Sequence, residues 1–259
     1  AALCGAARPP QAEQPEPGQP AAPPGDGEEL CWLSAAEQQA AMAGGRVTAK
    51  QLAMLYLSRI RDLDSAGPRL RSVIELNPEA LTIAEAMDRE RAESGPRSAL
   101  HGICVLIKDN VETGDLMHST AGSLALLDSR PGAGDAPIVA QLRAAGAVIL
   151  GKANLSEWAN YRGKSTSGWS ARGGQCLNPY VLSASPLGSS SGSGCAVAAG
   201  LAAAAVGSET DGSIILPCHV MGLVGVKPTV GLLSQAGIVP ISAVQDTPGP
   251  MARTVEDAA

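Results

Sequence analysis

Between Ser185 and Thr229, two glycine- and serine-rich clusters, GSSSGSG (Gly188–Gly194) and DGS (Asp211–Ser213), are joined by a run that is almost wholly alanine, valine and leucine. The run is ordinary core material. The clusters are not: small residues let backbone amides crowd around an anion and leave hydroxyls free to attack or to relay protons. A serine-centred acyl-transfer site is the first chemistry this pattern implies.

Composition narrows the partners. A chain of 259 residues with 45% hydrophobic and 17% charged residues has enough apolar material for a substantial core. A net charge of -6 without any basic run argues against a nucleic-acid groove or an anionic membrane surface, and a small neutral or amide substrate fits better. The apolar stretch after Ser193 is interrupted by Gly200 and Gly207 before it reaches bilayer-spanning length. The six cysteines form no CxxC pair and His101, His118 and His219 are scattered, so the spacing of a metal site is missing. Cys104, Cys195 and Cys218, in apolar or glycine-rich surroundings, read as small buried side chains. Phenylalanine is absent, which leaves Leu, Val, Ile and Met to supply the bulk of the core.

Along the chain, residues 1–28 are rich in Ala, Pro, Gly, Gln and Glu and read as a disordered leader, with the domain beginning near Glu29. The opening AALC is compatible with the remnant of an export signal, which leans the chain toward a periplasmic or secreted location. Ser34-Ala-Ala-Glu37 and Thr48-Ala-Lys-Gln51 each predict a capping box ahead of a helix. Strands are predicted at Ser72–Leu76, Ile103–Ile107, Ala147–Leu150 and Ala203–Val206, alternating with helices at Pro78–Glu93, at Pro137–Ala145 and from about Ser193. This alternation predicts an α/β fold with a sheet covered by helices on both faces. Thr254 looks like the N-cap of a helix that has barely begun at Ala259, so residues 29–259 are expected to form the N-terminal part of a longer domain.

Amide hydrolysis needs a nucleophile, a proton acceptor and donors for the tetrahedral oxyanion. With no suitable histidine motif, the acceptor has to be sought elsewhere. Lys108 follows the apolar residues Val105, Leu106 and Ile107, where a strand leaves the core, and desolvation there lowers a lysine pKa. On residue type alone, a Lys108–Asp109 surface turn is the favoured reading.

Four motifs change the weighting: GICVLIKDN (Gly102–Asn110), GSSSGSG, GSETDGSI (Gly207–Ile214) and GLVGVKPTVG (Gly222–Gly231). Taken in order, they resemble the amidase signature family. GWSARGGQ (Gly168–Gln175), NPY (Asn178–Tyr180) and QDTPGPMAR (Gln245–Arg253) are most similar to its bacterial peptide amidases. The resemblance implies a mixed-sheet core and a Ser-Ser-Lys triad, with Ser213 as nucleophile, Ser189 as bridging serine on an unusual cis peptide bond, and Lys108 as base. It also implies an oxyanion hole built from the backbone amides of Thr210, Asp211, Gly212 and Ser213, an acyl-enzyme, and no cofactor or metal. Ser190, Ser191 and Ser193 read instead as turn residues or as the N-cap of the following helix, and Asp109 and Asn110 either orient Lys108 or simply form a turn.

Ile215 stands where amidotransferase-type members usually carry Arg. That points toward hydrolysis and away from an A-type amidotransferase glutaminase that passes ammonia to a partner. Cys104, Leu187 and His219 also depart from the family pattern. A phosphate-binding loop is a third reading, but GSSSGSG lacks the Gly-Lys-Ser/Thr ending of a P-loop and does not fit GxGxxG. An inert fragment that keeps the motifs is a fourth.

Overall fold

The structure, a computed structural model, describes residues 27–128, 134–161 and 166–259. The expected leader over residues 1–28 therefore lies almost wholly outside the described residues. Helices α1 (Ala35–Ala43) and α2 (Ala49–Arg59) begin where the capping boxes predict them. In the second, Thr48 Oγ1 accepts the Gln51 amide at 3.1 Å while Gln51 Oε1 accepts the Thr48 amide at 2.9 Å, so two of the orphan donors of the first turn are satisfied reciprocally. Leu52, Ala53 and Tyr56 then form the buried face of α2 at helical spacing.

The chain continues through β1 (Val73–Leu76), α3 (Ala80–Ser94), β2 (Cys104–Lys108), α4 (Pro137–Ala144) and β3 (Val148–Ala153). A short hairpin follows, made of β4 (Trp169–Ser170) and β5 (Gly174–Gln175). The last part comprises α5 (Ser191–Ala198), β6 (Ala204–Glu209), α6 (Ile215–Val220), β7 (Val224–Gly225), β8 (Thr247–Ala252) and α7 (Val255–Ala258).

Six strands form one mixed sheet in the order β1-β3-β2-β6-β8-β7. The centre, β3-β2-β6, is parallel, and β1 and β8 pair antiparallel to it. Every residue of β2 and β3 is buried, as expected of central strands whose two faces are covered. Helices α2, α3 and α5 pack against this centre. The predicted α/β class with a mixed sheet is the fold observed.

Two differences matter for the site. The predicted strand ending at Leu150 runs on to Ala153, carrying Lys152 into the core. Gly151 permits this by lying against β1: a Cβ there would sit 2.3 Å from the Glu75 carbonyl oxygen. The second difference is β8, which sequence reasoning did not predict because Pro248 and Pro250 lie inside it. It pairs with β6 over its whole length, from Glu209–Thr247 to Ala204–Ala252, but its other neighbour, β7, reaches only Met251 and Ala252. Beside the two prolines β8 is an edge strand, where a missing amide donor is tolerated. Among the described residues no helix is long and apolar enough to cross a membrane.

Candidate active site

The tips of β2 and β6 and the N-terminus of α5 meet at one place. Lys108, the last residue of β2, is fully buried. Its Nζ donates to Ser189 Oγ at 2.8 Å, to the Ser208 carbonyl at 3.0 Å and to Ser208 Oγ at 3.0 Å. Burial brings its pKa down to about 7, against a smaller upward pull from the carboxylates of Glu209 and Asp246. The surface-turn reading of Lys108 does not describe this residue.

Ser189 precedes α5, is fully buried, and follows a cis peptide bond from Gly188. Its carbonyl accepts the Ser156 amide at 3.0 Å, and the next amide, that of Ser190, donates to the Ser213 carbonyl at 3.1 Å. The two glycine- and serine-rich clusters are thus joined backbone to backbone. Gly192, in the first turn of α5, makes the approach possible: a Cβ would lie 2.3 Å from the Ser72 carbonyl oxygen and 2.4 Å from that of Asn154. The neighbouring hydroxyls serve packing. Ser190 occupies the N-cap position but does not cap; its Oγ donates to the Ser208 carbonyl at 3.2 Å, and Ser193 Oγ donates to the Val206 carbonyl at 3.2 Å. Both tie α5 to β6; Ser190 thus stands at the expected N-cap position, but its hydroxyl bonds to β6 rather than to the first turn of the helix.

Ser213 lies in the turn between β6 and α6. It borders a small cavity of about 20 Å³, which it shares with Ser189, Ser208 and Thr210, and also a wider vestibule of about 370 Å³ walled by Tyr161, Leu187, Leu216 and Ile241. The smaller volume holds a molecule the size of water. No hydrogen bond links Ser213 Oγ to Ser189 Oγ in this structure, although both serines line the one cavity. Glu209, nearly buried at the end of β6, accepts the Gly212 amide at 2.8 Å and the Ile214 and Ile215 amides at 2.6 and 3.0 Å. A carboxylate thus sits on the N-terminus of α6, where the peptide dipoles favour negative charge. Of the four amides expected to bind an oxyanion, that of Gly212 is already donated to Glu209, and the positive φ of 75° at Gly212 shapes the turn.

Asp109 and Asn110 separate in role. Asp109 turns away from Lys108 and accepts from the Thr120 hydroxyl at 2.5 Å and the Gly122 amide at 3.1 Å. Asn110 Nδ2 reaches Ser208 Oγ at 2.9 Å, the oxygen that also accepts from Lys108. Ser208 was not singled out from sequence, although its place within the GSETDGSI motif is a usable signal. Lys152 was also missed. It is fully buried, donates to Ser119 Oγ at 2.7 Å and to the Val111 carbonyl, and desolvation lowers its pKa to about 8. Cys104, Cys195 and Cys218 are buried, as their surroundings predict. Among the described residues no cluster of His, Cys, Asp and Glu suited to a metal ion occurs.

Residues 53–259, carrying all of this geometry, match the sequence profile of the family described as Amidase. The chain belongs to the amidase family. A probable amidase of Arabidopsis thaliana is 55% identical over 216 residues, which cover 82% of this chain and 41% of that protein. The crystal structure of native peptide amidase from Stenotrophomonas maltophilia superposes with a TM-score of 0.84 at 57% identity, over 87% of this chain and 46% of that one. The A-type subunit of glutamyl-tRNA(Gln) amidotransferase from Salinispora arenicola is 44% identical over 232 residues, covering 89% of this chain and 45% of that protein. This amidase-family chain thus spans less than half the length of each of these relatives.

Proposed function

We propose that the site hydrolyses carboxamides, peptide C-terminal amides among them, through an acyl-enzyme on Ser213, with Ser189 as the bridging serine and Lys108 as the base. The observation that carries this reading is the 2.8 Å bond from a fully buried Lys108 to Ser189, beside a cavity that Ser213 also lines. A lysine whose pKa lies near 7 is half neutral at neutral pH and can accept a proton.

In the forward step, Ser213 Oγ forms a bond to the carbonyl carbon of the substrate. Its proton passes to Ser189 Oγ as the Ser189 proton passes to Lys108 Nζ. The carbonyl π electrons move onto oxygen, and the amides of Thr210, Asp211 and Ser213 are the candidates to receive that charge. Collapse of the intermediate breaks the C–N bond. Ser189 gives a proton to the departing nitrogen and recovers one from Lys108, and ammonia leaves. Water then attacks the Ser213 ester by the same relay and releases the acid. Catalytic hydrogen bonds commonly tighten only in the substrate complex, and the Ser189–Ser213 link belongs to that step.

The identity with peptide amidase favours hydrolysis with water as final acceptor over a glutaminase coupled to a partner, and so does Ile215 at the start of α6. Incubation with a fluorophosphonate and mapping of the adduct by mass spectrometry tests the assignment. An adduct on Ser213 that disappears in Lys108→Ala is the expected result. A folded chain that takes no label, or takes it elsewhere, refutes it.

A further inference from the structure

The turn that carries Thr210 and Asp211 is held by two side chains that are not members of the proposed proton relay: Asp246 borders the small cavity, and Lys227 lies outside it. Lys227, in the segment between β7 and β8, donates its Nζ to the Thr210 carbonyl at 2.6 Å. Asp246, which immediately precedes β8 and is 8% exposed, accepts the Thr210 hydroxyl on Oδ1 at 2.5 Å. Its Oδ2 is occupied by the Ile241 and Ser242 amides at 2.7 and 2.9 Å, so the carboxylate cannot swing away without losing a turn of its own.

Fixing a carbonyl fixes more than an oxygen. The Thr210–Asp211 peptide is trans, and in a planar trans peptide the N–H points opposite to the C=O. With the Thr210 oxygen turned to Lys227, the Asp211 N–H is turned away from it. Asp211 borders the vestibule with Ser213, whereas Lys227 borders neither the vestibule nor the small cavity.

We propose that Lys227 and Asp246 are positioning residues that clamp the Thr210–Asp211 peptide, one by its carbonyl and the other by its side chain, so that its N–H is aimed in advance at the oxyanion formed when Ser213 attacks. This rests on the reading of Ser213 as nucleophile. A preorganised donor helps most where charge develops in the transition state, so the clamp acts on turnover and leaves ground-state binding alone. Lys227 also differs from Asp246 in a measurable way: Asp246 helps hold up the Lys108 pKa, and Lys227 is not among the groups that set it.

The test compares the parent chain with Lys227→Met, Lys227→Arg and Asp246→Asn, by the rate of fluorophosphonate labelling at Ser213 and by steady-state hydrolysis of a peptide amide. A phosphonyl oxygen occupies the oxyanion position, so labelling reports the donors directly. For Lys227→Met, labelling and kcat should fall about 10- to 100-fold, short of the roughly 10²- to 10³-fold that follows loss of a whole donor, with KM and the pH profile unchanged. Lys227→Arg, which still reaches a carbonyl, should recover part of the loss. Asp246→Asn should lower kcat and also move the acid limb of the profile to lower pH, because a negative charge that stabilises the Lys108 ammonium is gone. Should Lys227→Met fail to fold, Thr210→Val removes only the hydroxyl donated to Asp246 and is read in the same way. Labelling of Lys227→Met at the parent rate, a loss confined to KM, or no recovery with arginine overturns the clamp while leaving the nucleophile in place. A folded parent that does not label at Ser213 overturns the catalytic reading and this inference with it.

Discussion

Lys108 and Ser208 meet twice, through the backbone carbonyl and through the hydroxyl of the serine, each 3.0 Å from Nζ. With Ser189 at 2.8 Å, the amine has three oxygen neighbours and a fixed direction, so its one lone pair, when neutral, has few places to point. Removal of the Ser208 hydroxyl in Ser208→Ala should leave the fold intact and free both Lys108 and Asn110 to reorient. Activity is expected to fall about 10-fold or more, the range in which misplaced acid–base groups act, and titration of kcat against pH with a peptide amide checks it.

The three residues of the proposed relay should behave as a unit. Ser213→Ala should abolish turnover, and Lys108→Ala should come close to it. Ser189→Ala should cost several orders of magnitude, and the double variant Lys108→Ala/Ser189→Ala little more than either single change. Additive losses in the double variant would show that the two residues act separately.

The acid limb of kcat/KM should lie near pH 7, where burial has placed the Lys108 pKa. The base must be neutral, so activity rises as pH increases through that value and is lost below it. A flat profile between about pH 6 and 8 would exclude Lys108 as the titrating base.

Lys152 makes a stability prediction of its own. Its folded pKa, lowered by burial to about 8, lies below the roughly 10.5 of an unfolded lysine. Between those values the unfolded chain binds more protons than the folded one, so this residue's contribution to stability rises with pH there and flattens below about 8. Thermal melts of the parent and of Lys152→Met from about pH 7 to 9.5 should show the parent gaining on the variant only in the upper half of the range. A constant difference would mean that the buried amine keeps its proton.

Gly192→Ala tests the close approach of α5. Alanine is the better helix former, yet its methyl group would meet two backbone carbonyls at 2.3 and 2.4 Å. Overpacking of this kind costs about 1–3 kcal/mol or more, and denaturant melts should show a loss of that size where propensity alone predicts a gain.

Much of this could be read from residue order, and the exceptions have physical causes. Strand β2 and helix α2 were legible because local signals agree with tertiary structure: three apolar residues ahead of Lys108, and a capping box ahead of a helical apolar face. Lys108, Ser189 and Ser213 were singled out through motif resemblance; in the structure Ser189 and Ser213 line one cavity and Lys108 is hydrogen-bonded to Ser189. Strand β8 was not, because its prolines deny it a strand pattern and it forms only through pairing with β6. Lys152 lay beyond the predicted strand end at Leu150, since nothing local shows that β1 lies close enough to require a glycine at position 151. Ser208, Glu209 and Asp246 act through contacts that close only after folding, and a polar residue at a strand end gives no sign of what it will meet.

The pairing of β6 with β8 has a consequence for synthesis. Thr210 emerges from the ribosome before Lys227 and Asp246, and β6, the strand that ends just before it, gains its antiparallel partner only once residues 247–252 have been made. A nascent chain that already contains Lys108, Ser189 and Ser213 therefore still lacks the contacts that hold the Thr210 turn in place. Order of translation keeps the proposed site unfinished until the returning strand arrives.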